Sequence, residues 1–520
     1  MTTCREVDAS ARVDRLLPES GGRHHALDTD RRERELDNRN AARTVSAPEN
    51  HPATEMSRSL GDRDAARLTA ALQWIATAAV LLALATVGWD RFANVFVGSF
   101  NVKLPVMLFS LGLVTHLAAS APQFTHRPMA WRDRDVLTVV GATALTATLL
   151  LLILSSLFAL DSAAGFMQII TIVLGAVVPF LATVSVTRPG MGRWALDAFI
   201  VGGIVSALFG LYQLIAAVSG LPQLIDYPAL GGGLPRISSF NYEAGYFGYY
   251  MVLVMAALAA RYRMTTNRLT HLTLGAGMVF ILAVTLLANT RAAYMTIPLF
   301  GLALWASRRR SLPNWKQLGI GAGGLVAAGV IVVVIAPAAV EFLAMRAASI
   351  LDPTEPTSNA PRLQLLQGAL RIYADHPFLG IGPGNLVNYV SDYDLPFTGG
   401  TSNSVIVNNV PLQALLDGGP LLLSMQVALV VVLFVRSYRW DRIISSALVS
   451  GLAAVALIAF AGTSYFWDLK LWAVAALAWG MAGHPPTHAT ADPVPAGTEI
   501  GASLVPQRPQ GSSEQAKPAS

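Results

Sequence analysis

The chain has 520 residues, of which 53% are hydrophobic and 13% are charged, and its formal net charge is +5. Soluble domains carry about a quarter charged residues, so this composition excludes an ordinary soluble protein and predicts an integral membrane protein. The net positive charge does not indicate a nucleic-acid partner, because its distribution along the chain follows a membrane topology.

The two ends of the chain have no apolar periodicity. Residues 1–66 are charged and poor in aromatic residues, which predicts a disordered tail without a cleavable signal peptide. Met56 is an alternative start just before the first apolar segment. Residues 484–520 are rich in Pro, Thr, Ala and Ser and predict a second disordered tail. Cys4 is the only cysteine, which excludes an intrachain disulfide.

Between the tails, apolar runs long enough to cross about 30 Å of hydrocarbon predict about twelve transmembrane helices. If both termini are cytoplasmic, the inner loops hold fifteen Arg and Lys residues, and the outer loops and helix edges hold five. This bias follows the positive-inside rule and predicts a multi-pass protein of the cytoplasmic (inner) membrane, in contact with the lipid bilayer and with no nucleic acid. The predicted spans are 71–89, 100–119, 136–158, 163–186, 194–218, 245–260, 271–288, 292–306, 317–337, 419–435, 443–463 and 467–483.

One long loop divides the predicted helices. Helices one to nine fall within 67–337, an extracytoplasmic loop within 338–404, and helices ten to twelve within 405–483. A long loop in a compact protein is usually functional. Inside the loop, Pro361 stands at a favoured first-turn position of a helix. Five apolar residues then recur at helical spacing and predict its buried face: Leu365, Leu366, Ala369, Leu370 and Tyr373.

Arg362 is the first candidate site residue. At about 100° per residue it lies within about 40° of Leu366, Ala369 and Tyr373, so it is predicted to point into the protein. Arg371 points the opposite way and is predicted to be a solvated surface charge.

A cation in a first helical turn opposes the helix macrodipole, so helix stability does not explain Arg362. An anion held jointly by the guanidinium and the helix N-terminus would explain it. The alternative is a pairing with a carboxylate such as Glu341 or Glu355, since buried charges are normally paired.

Two further arginines are predicted on the outer face, against the charge bias. Arg291 lies in the outer turn of "LLANTRAAYM", and Arg236 lies in the outer loop of "GGGLPRISSFNYEAGYFG". Together with Arg362 they predict a polyanion site at the membrane surface, whereas the alternative for each is an interfacial side chain that snorkels to lipid headgroups. Four carboxylates are predicted on the same outer face: Glu243, Asp392, Asp394 and Asp417. Each either pairs with one of these arginines, acts as a base, or is simply solvated.

The loop helix is followed by "HPFLGIGPGN". Gly380, Gly382 and Gly384 permit backbone conformations that other residues avoid, so this segment either turns the chain back to the membrane or approaches a ligand closely. Further on, Asn409 and Gln413 share a helical face in "VNNVPLQALLDGG", where their amides either bind a sugar or cap and bridge helices.

These segments, taken in order from about residue 236 to 423, resemble the O-antigen ligase and polymerase family of polytopic membrane proteins. The resemblance is carried by "PRISSFNYEAGYFG", "ANTRAAYM", "RLQLLQGALRIYADHPFLGIGPGN" and "VNNVPLQALLDGG". It implies a GT-C-like, metal-independent, inverting glycosyltransferase with no cofactor. The donor would be a polyprenyl diphosphate-linked glycan, and the acceptor a glycan or another surface molecule. In the family, basic residues of the outer turn and long loop contact the donor diphosphate; these match Arg291 and Arg362, and less closely Arg236.

One position departs from the family pattern. Its ligases usually carry a His-Asn pair before the "LQ" helix, and the His is thought to activate the acceptor; here the pair is Asn408-Asn409. An amide is not a general base, so either His376, Glu243, Asp392 or Asp394 takes the proton, or no such residue is used. A polymerase or another surface-glycan transferase is therefore favoured over a lipopolysaccharide core ligase.

Two alternatives come from other classes. A secondary transporter or lipid-linked glycan flippase also has about twelve helices, but it binds near the bilayer midplane through ionisable residues within helices. The predicted helix interiors here are almost free of such residues, which favours chemistry at the surface. A structural subunit of a glycan-export assembly is excluded only by the resemblance.

Overall fold

The computed structural model describes most of the chain between Pro52 and Ala482. The predicted helix 317–337, Glu341, Glu355, Arg236 and the tail 484–520 lie outside the described residues. The described ranges are 52–92, 94–97, 100–126, 135–187, 191–222, 224, 237–288, 290–307, 359–396, 405, 407–440, 445–463 and 465–482.

These ranges contain twelve α-helices and one two-stranded antiparallel hairpin. The helices before the site region are α1 (Pro52–Thr86), α2 (Leu104–His126), α3 (Val136–Leu157), α4 (Ser162–Val186, with a π-helical turn at Val173–Val177) and α5 (Met191–Ser219). The others are α6 (Ala244–Arg263), α7 (Arg268–Leu287), α8 (Arg291–Ala306), α9 (Asn359–Asp375), α10 (Val410–Trp440), α11 (Ser445–Gly462) and α12 (Leu469–Ala482). Strands β1 (Val95–Val97) and β2 (Phe100–Val102) join α1 to α2.

The prediction of an all-α integral membrane protein is confirmed. Among the described residues, nine helices are long and apolar enough to cross a membrane, and α12 is a shorter apolar helix. Eleven of the predicted spans coincide with observed helices, counting the 16-residue α8. Two details differ. Helix α1 begins at Pro52, inside the predicted tail, and residues 100–102 form a strand that pairs with residues 95–97.

Helix α6 is the central element. Of its membrane window, 89% is buried inside the protein, against 17% for α7, which follows it. It packs against α5, α7, α8, α11 and α12. Glycines of the neighbours allow this close approach: a Cβ on Gly203 of α5 would lie 2.3 Å from Val254, and one on Gly451 of α11 would lie 2.4 Å from Ala256. The start of α6 therefore has a fixed position among the surrounding helices.

Polar contacts cluster at the two ends of the helices. At the end where α6 finishes, Arg261 Nε donates to Asp197 Oδ1 at 2.8 Å, and Arg436 pairs with Asp135 at 2.5 Å. These arginines belong to the basic set predicted for the cytoplasmic side. The end where α6 begins is called here the site end. That the site end is extracytoplasmic remains a prediction.

The segment "HPFLGIGPGN" is a docking loop between helices. The hydroxyl of Ser155 donates to the carbonyl of Leu379 at 2.7 Å, and the amide of Ile381 donates to the carbonyl of Leu416 at 2.7 Å. The Asn385 side chain exchanges hydrogen bonds of 2.8 and 3.1 Å with the backbone of Asp161. The loop therefore fastens α9 to the α3–α4 turn and to α10.

The glycines of this loop serve backbone packing. Gly380, Gly382 and Gly384 have φ values of 66, 88 and 73°. A Cβ on Gly380 would lie 2.1 Å from the carbonyl oxygen of Leu416, and one on Gly382 would lie 2.6 Å from Ala159. The segment of α10 that packs against the loop also contains glycines. Its helical conformation is interrupted at Gly418 and Gly419. Other protein atoms, and not open space, lie against these positions.

Gly419→Ala tests this docking. The residue has φ 74°, and its Cβ would lie 1.8 Å from the Phe378 carbonyl oxygen, so either the loop or the helix break must shift. We expect the variant to lose about 1 to 3 kcal/mol of stability in detergent, measured by thermal unfolding. Gly301→Ala is the matched control, because a Cβ there meets nothing within 4 Å and Ala favours a helix. Equal stability of the two variants would contradict the docking.

Candidate functional site

The site end of α6 presents an acidic and two phenolic side chains. Glu243 occupies the N-cap position but its carboxylate caps no backbone amide, and it is exposed. Tyr246 and Tyr249 follow at a spacing of three, which places them on one face of the helix. Tyr246 is half-buried and Tyr249 is buried. The charge of Glu243 acts on both phenols.

Arg362 lies near the same two tyrosines. Its charge acts on the phenols of Tyr246 and Tyr249, which brings the first turn of α9 to the head of α6. The prediction that Arg362 points into the protein was wrong, because the side chain is exposed.

The buried face of α9 is centred elsewhere. Leu365, Ala369 and Ile372 form it, while Leu370, which was predicted to be buried, is 50% exposed. These three residues pack with Leu412 and Leu416 of α10. Arg362 therefore stands at the edge of the packed surface, where it remains accessible, and Arg371 is exposed as predicted.

Arg291 reaches the site end from α8. It is the first residue of that helix, and Thr290 caps the helix by accepting a hydrogen bond from the amide of Ala293 at 3.2 Å. A Cβ on Gly248 of α6 would lie 3.0 Å from the Thr290 hydroxyl and 2.9 Å from Ala293. The start of α8 thus lies against α6 beside Tyr249, and Arg291 is half-buried there.

A short turn between α11 and α12 completes the surroundings of the tyrosines. The 3₁₀ turn Tyr465–Trp467 lies between Thr463, which is hydrogen-bonded to Tyr249, and Asp468, whose charge acts on Tyr246. The head of α6 is therefore surrounded by residues from α8, α9 and this turn.

Beneath this surface lies a buried ionic network. Lys470 Nζ is 2.6 Å from Asp90 Oδ2 and 3.2 Å from Asp468 Oδ2, and Lys103 Nζ is 2.7 Å from Asp90 Oδ1. Lys470 is fully buried. Burial alone would raise the pKa of Asp90, but the two ammonium groups outweigh it and lower this pKa to about 2. The network joins the end of α1, the hairpin and the start of α12.

Two of the three predicted amides have structural roles. Asn409 caps α10, since its Oδ1 accepts from the amide of Leu412 at 2.9 Å. Gln413 bridges two groups: its Oε1 accepts from the amide of Val407 at 3.0 Å, and its Nε2 donates to Asp417 Oδ1 at 2.7 Å. The sequence left open whether these amides bind a sugar or cap and bridge helices. In the structure, Asn409 caps a helix and Gln413 bridges two groups. Asn408 is half-buried just before the helix.

His376 lies away from the arginines. It follows α9 directly, fourteen residues after Arg362, which corresponds to roughly 21 Å along a helix. Its ring packs edge-on against Tyr389, with centroids 5.6 Å apart. The structure therefore does not bring His376 to the head of α6, and the same docking loop accounts for Gly382 and Gly384 without a ligand.

The sequence interpretation missed several members of this region. Tyr246 and Tyr249 stand in a segment used only for the family resemblance, although their spacing of three on a predicted helix was a usable signal. Asp90 and Lys470 are 380 residues apart in the chain, and no local pattern links them. Among the described residues, no group of three or more His, Cys, Asp or Glu side chains could hold a metal ion.

The comparison with protein families agrees with this geometry. A sequence model described as O-antigen ligase matches residues 276–427, a segment that contains Arg291, α9, the docking loop and the start of α10. No curated protein matches the chain at a significant level.

This protein is therefore an all-α, multi-pass integral membrane protein. Residues 276–427 match the O-antigen ligase family model, as the resemblance indicated, and this match supports a role in surface polysaccharide synthesis.

Asp90→Asn tests the buried network. Removing this carboxylate leaves Lys470 fully buried with Asp468 alone, and breaking a buried pair costs about 3 kcal/mol or more. We expect a lower thermal unfolding temperature at neutral pH, whereas Asp392→Asn, at an exposed carboxylate, should leave it unchanged.

The pH dependence of this difference has a definite sign. The pKa of Asp90 falls from 3.8 to about 2 on folding, so its contribution is complete above about pH 4 and is lost as the pH falls towards 2. The gap between wild type and Asp90→Asn should therefore narrow across that window. A gap that does not depend on pH would contradict the network.

Proposed function

We propose that the protein is a metal-independent, inverting glycosyltransferase of the GT-C type. It transfers a glycan from a polyprenyl diphosphate donor at the outer face of the cytoplasmic membrane, and it either polymerises or ligates surface glycans. Family membership supports the reaction class, and the arrangement at the head of α6 supports the residue roles.

The observation that carries the proposal is that two arginines from separate elements both lie near the head of α6. Arg291 begins α8 beside Gly248, and the charge of Arg362 on α9 acts on Tyr246 and Tyr249. Two guanidinium groups at one exposed helix end suit a diphosphate, because each offers several donors in a planar fork. Lys470 does not compete for this anion, since two carboxylates hold it inside the protein.

In the proposed step, the acceptor hydroxyl oxygen bonds to the anomeric carbon as the bond from that carbon to the phosphate oxygen breaks, with inversion. The electron pair of the broken bond goes to the polyprenyl diphosphate, so negative charge grows on its oxygens. Arg291 and Arg362 stabilise that charge most in the transition state, which is what accelerates a reaction. Arg236 remains a proposed third contact to the donor.

Glu243 is the proposed acceptor of the hydroxyl proton. Its carboxylate is exposed, caps no helix amide and acts on the same two tyrosines as Arg362. Asn408 remains a proposed contact to the acceptor sugar, because an amide binds hydroxyl groups without taking their protons.

A flippase or transporter is the second candidate, and the described charges argue against it. The ion pairs Arg261–Asp197 and Arg436–Asp135 lie at helix ends, as does the pair Lys470–Asp90. A transporter would place ionisable residues near the midplane. The polar groups of the candidate site are likewise at a helix end, which suits a reaction at the membrane surface.

Alanine substitution of the two arginines tests the donor site. Purified protein in vesicles receives a polyprenyl diphosphate oligosaccharide with excess EDTA, and products are sized by mass. We expect Arg291→Ala and Arg362→Ala each to lower transfer by about 10² to 10³, with normal membrane insertion. Arg371→Ala is the matched control, since it is exposed on the same helix as Arg362.

The products of this assay separate the outcomes. Longer lipid-linked chains indicate a polymerase, and glycan on a different acceptor indicates a ligase. Wild-type transfer in both arginine variants would contradict the donor site, and transfer abolished by EDTA would contradict metal independence. Movement of the lipid-linked glycan across the bilayer without transfer would favour the flippase.

Glu243→Gln tests the base. The substitution keeps the shape of the side chain but removes its proton affinity, so kcat should fall by about 10² to 10⁴ while KM for the donor changes little. His376→Ala should retain transfer, because His376 lies at the far end of α9. The reverse pattern, with His376→Ala inactive and Glu243→Gln active, would exclude Glu243.

A further inference from the structure

Asp417 is a buried carboxylate that has no paired cation among the residues that the structure describes. It is 7% exposed, and Gln413 Nε2 donates to its Oδ1 at 2.7 Å. Burying a charge is costly unless the charge is paired. The position adds to this cost, because Asp417 ends the first section of α10, just before the break at Gly418 and Gly419, and a negative charge at the C-terminal end of a helix opposes its dipole. Neither packing nor helix stability therefore explains a carboxylate here.

Gln413 links this carboxylate to the segment that precedes α10. Its Oε1 accepts from the backbone amide of Val407 at 3.0 Å, while its Nε2 donates to Asp417. A backbone N–H needs an acceptor and a carboxylate needs a donor, so only one of the two orientations of the side-chain amide satisfies both neighbours. Asp417 therefore fixes the orientation in which Gln413 binds Val407.

Asn408 lies between two residues that α10 holds in place. On one side, Val407 is bound through its backbone amide, and its side chain is buried. On the other side, Asn409 caps the helix by accepting from the amide of Leu412 at 2.9 Å. Residues 407–409 belong to no helix or strand, so side-chain contacts of this kind help to set the position of Asn408.

A buried cluster joins this segment to α9. Val407, Leu412 and Leu416 are buried in one cluster with Leu365, which follows Arg362 by three residues on α9. The start of α10 and the beginning of α9 thus share a packed surface. This surface places Asn408 at the site end of the bundle, together with Arg362.

We propose that Asp417 is a positioning residue for the acceptor: through Gln413 it holds the segment that presents Asn408. The proposal rests on the proposed function for the role of Asn408 as a contact to the acceptor sugar. Asp417 does not touch the reacting atoms in this proposal. Its carboxylate is retained in a buried position because a charged acceptor binds the Gln413 amide more strongly than a neutral one does.

The kinetic test compares three variants with wild type. Asp417→Leu and Gln413→Leu remove the link, so we expect the KM for the acceptor to rise about tenfold, while kcat and the KM for the donor change little. This factor corresponds to about 1.4 kcal/mol, which is the scale of one hydrogen bond to a charged group. Asp417→Asn keeps an oxygen that accepts from Gln413, and its KM for the acceptor should stay close to that of wild type.

Gln364→Leu is the matched control. It makes the same change at an exposed amide of α9, which donates to the backbone carbonyl of Asp394 at 3.1 Å, and its KM for the acceptor should not change. An unchanged KM in both Asp417→Leu and Gln413→Leu would overturn the proposal. So would a loss of kcat in Asp417→Asn, because the carboxylate would then take part in the reaction itself. If Asp417→Leu does not insert into the membrane, Gln413→Leu alone decides.

A spectroscopic measurement tests the positioning without any transfer. Cys4 is the only cysteine of the chain, so a Cys4→Ser, Asn408→Cys protein carries a nitroxide spin label at residue 408 alone. We expect electron paramagnetic resonance to show a restricted label in this protein and after the additional substitution Asp417→Asn. The label should move faster after Asp417→Leu or Gln413→Leu, and Gln364→Leu should not change it.

The two measurements separate the failure of this proposal from the failure of the proposed function. Label mobility that is the same in all variants would overturn the positioning role, even if the protein transfers glycans. A label released by Asp417→Leu and Gln413→Leu, in a protein that transfers no glycan in any variant, would support the hold on residue 408 and contradict the proposed function.

Discussion

The burial of α6 is the constraint on which the rest of the structure depends. A helix enclosed on nearly all sides must be apolar or small along its length, and the run from Met251 to Ala260 meets this requirement. Its first turns do not: Glu243, Tyr246 and Tyr249 bring a carboxylate and two hydroxyl groups to one end of the bundle. Buried polar groups need partners, and here Arg362 of α9 and the residues that flank the turn before α12 interact with the two tyrosines. The same helix thus fixes the core and gathers the polar groups of the candidate site.

The position of α9 depends on a different interaction. Its N-terminal turn carries Arg362 to α6, but its attachment is at the other end, where Gly382 and Asn385 dock on the α3–α4 turn and Ile381 pairs with Leu416. If α9 were attached only at the end away from Arg362, the position of its first turn would vary. The close backbone contacts at Gly380 and Gly419 reduce that freedom, and the buried face of Leu365, Ala369 and Ile372 carries the constraint along the helix to its first turn.

The sequence predicted correctly those features that depend on a local residue pattern, namely the positions of helices. Apolar runs located eleven of the spans, and the helical spacing after Pro361 located α9. The roles of single side chains depended on which elements meet, and that information is not local. Arg362 was assigned to the buried face because Leu366 and Tyr373 flank it at helical spacing. Contacts with Leu412 and Leu416 shift the buried face towards Ile372 instead.

Asn409 and Gln413 left two alternatives open, and only the positions of Val407 and Asp417 decided between them. The pairing of Asp90 with Lys470 could not be predicted at all, because both residues flank apolar runs and appear in isolation as ordinary interfacial charges.

The buried network also determines which charges reach the surface. Asp90 and Asp468 together neutralise Lys103 and Lys470, so this part of the site end contributes little net field. Among the described residues, Arg291 and Arg362 then contribute positive charge at the head of α6, and Glu243 opposes it. A charge acts over a longer range in the poorly polarisable surroundings of a membrane edge than in water. Neutralising the lysines below therefore concentrates the attraction for a diphosphate at the two arginines.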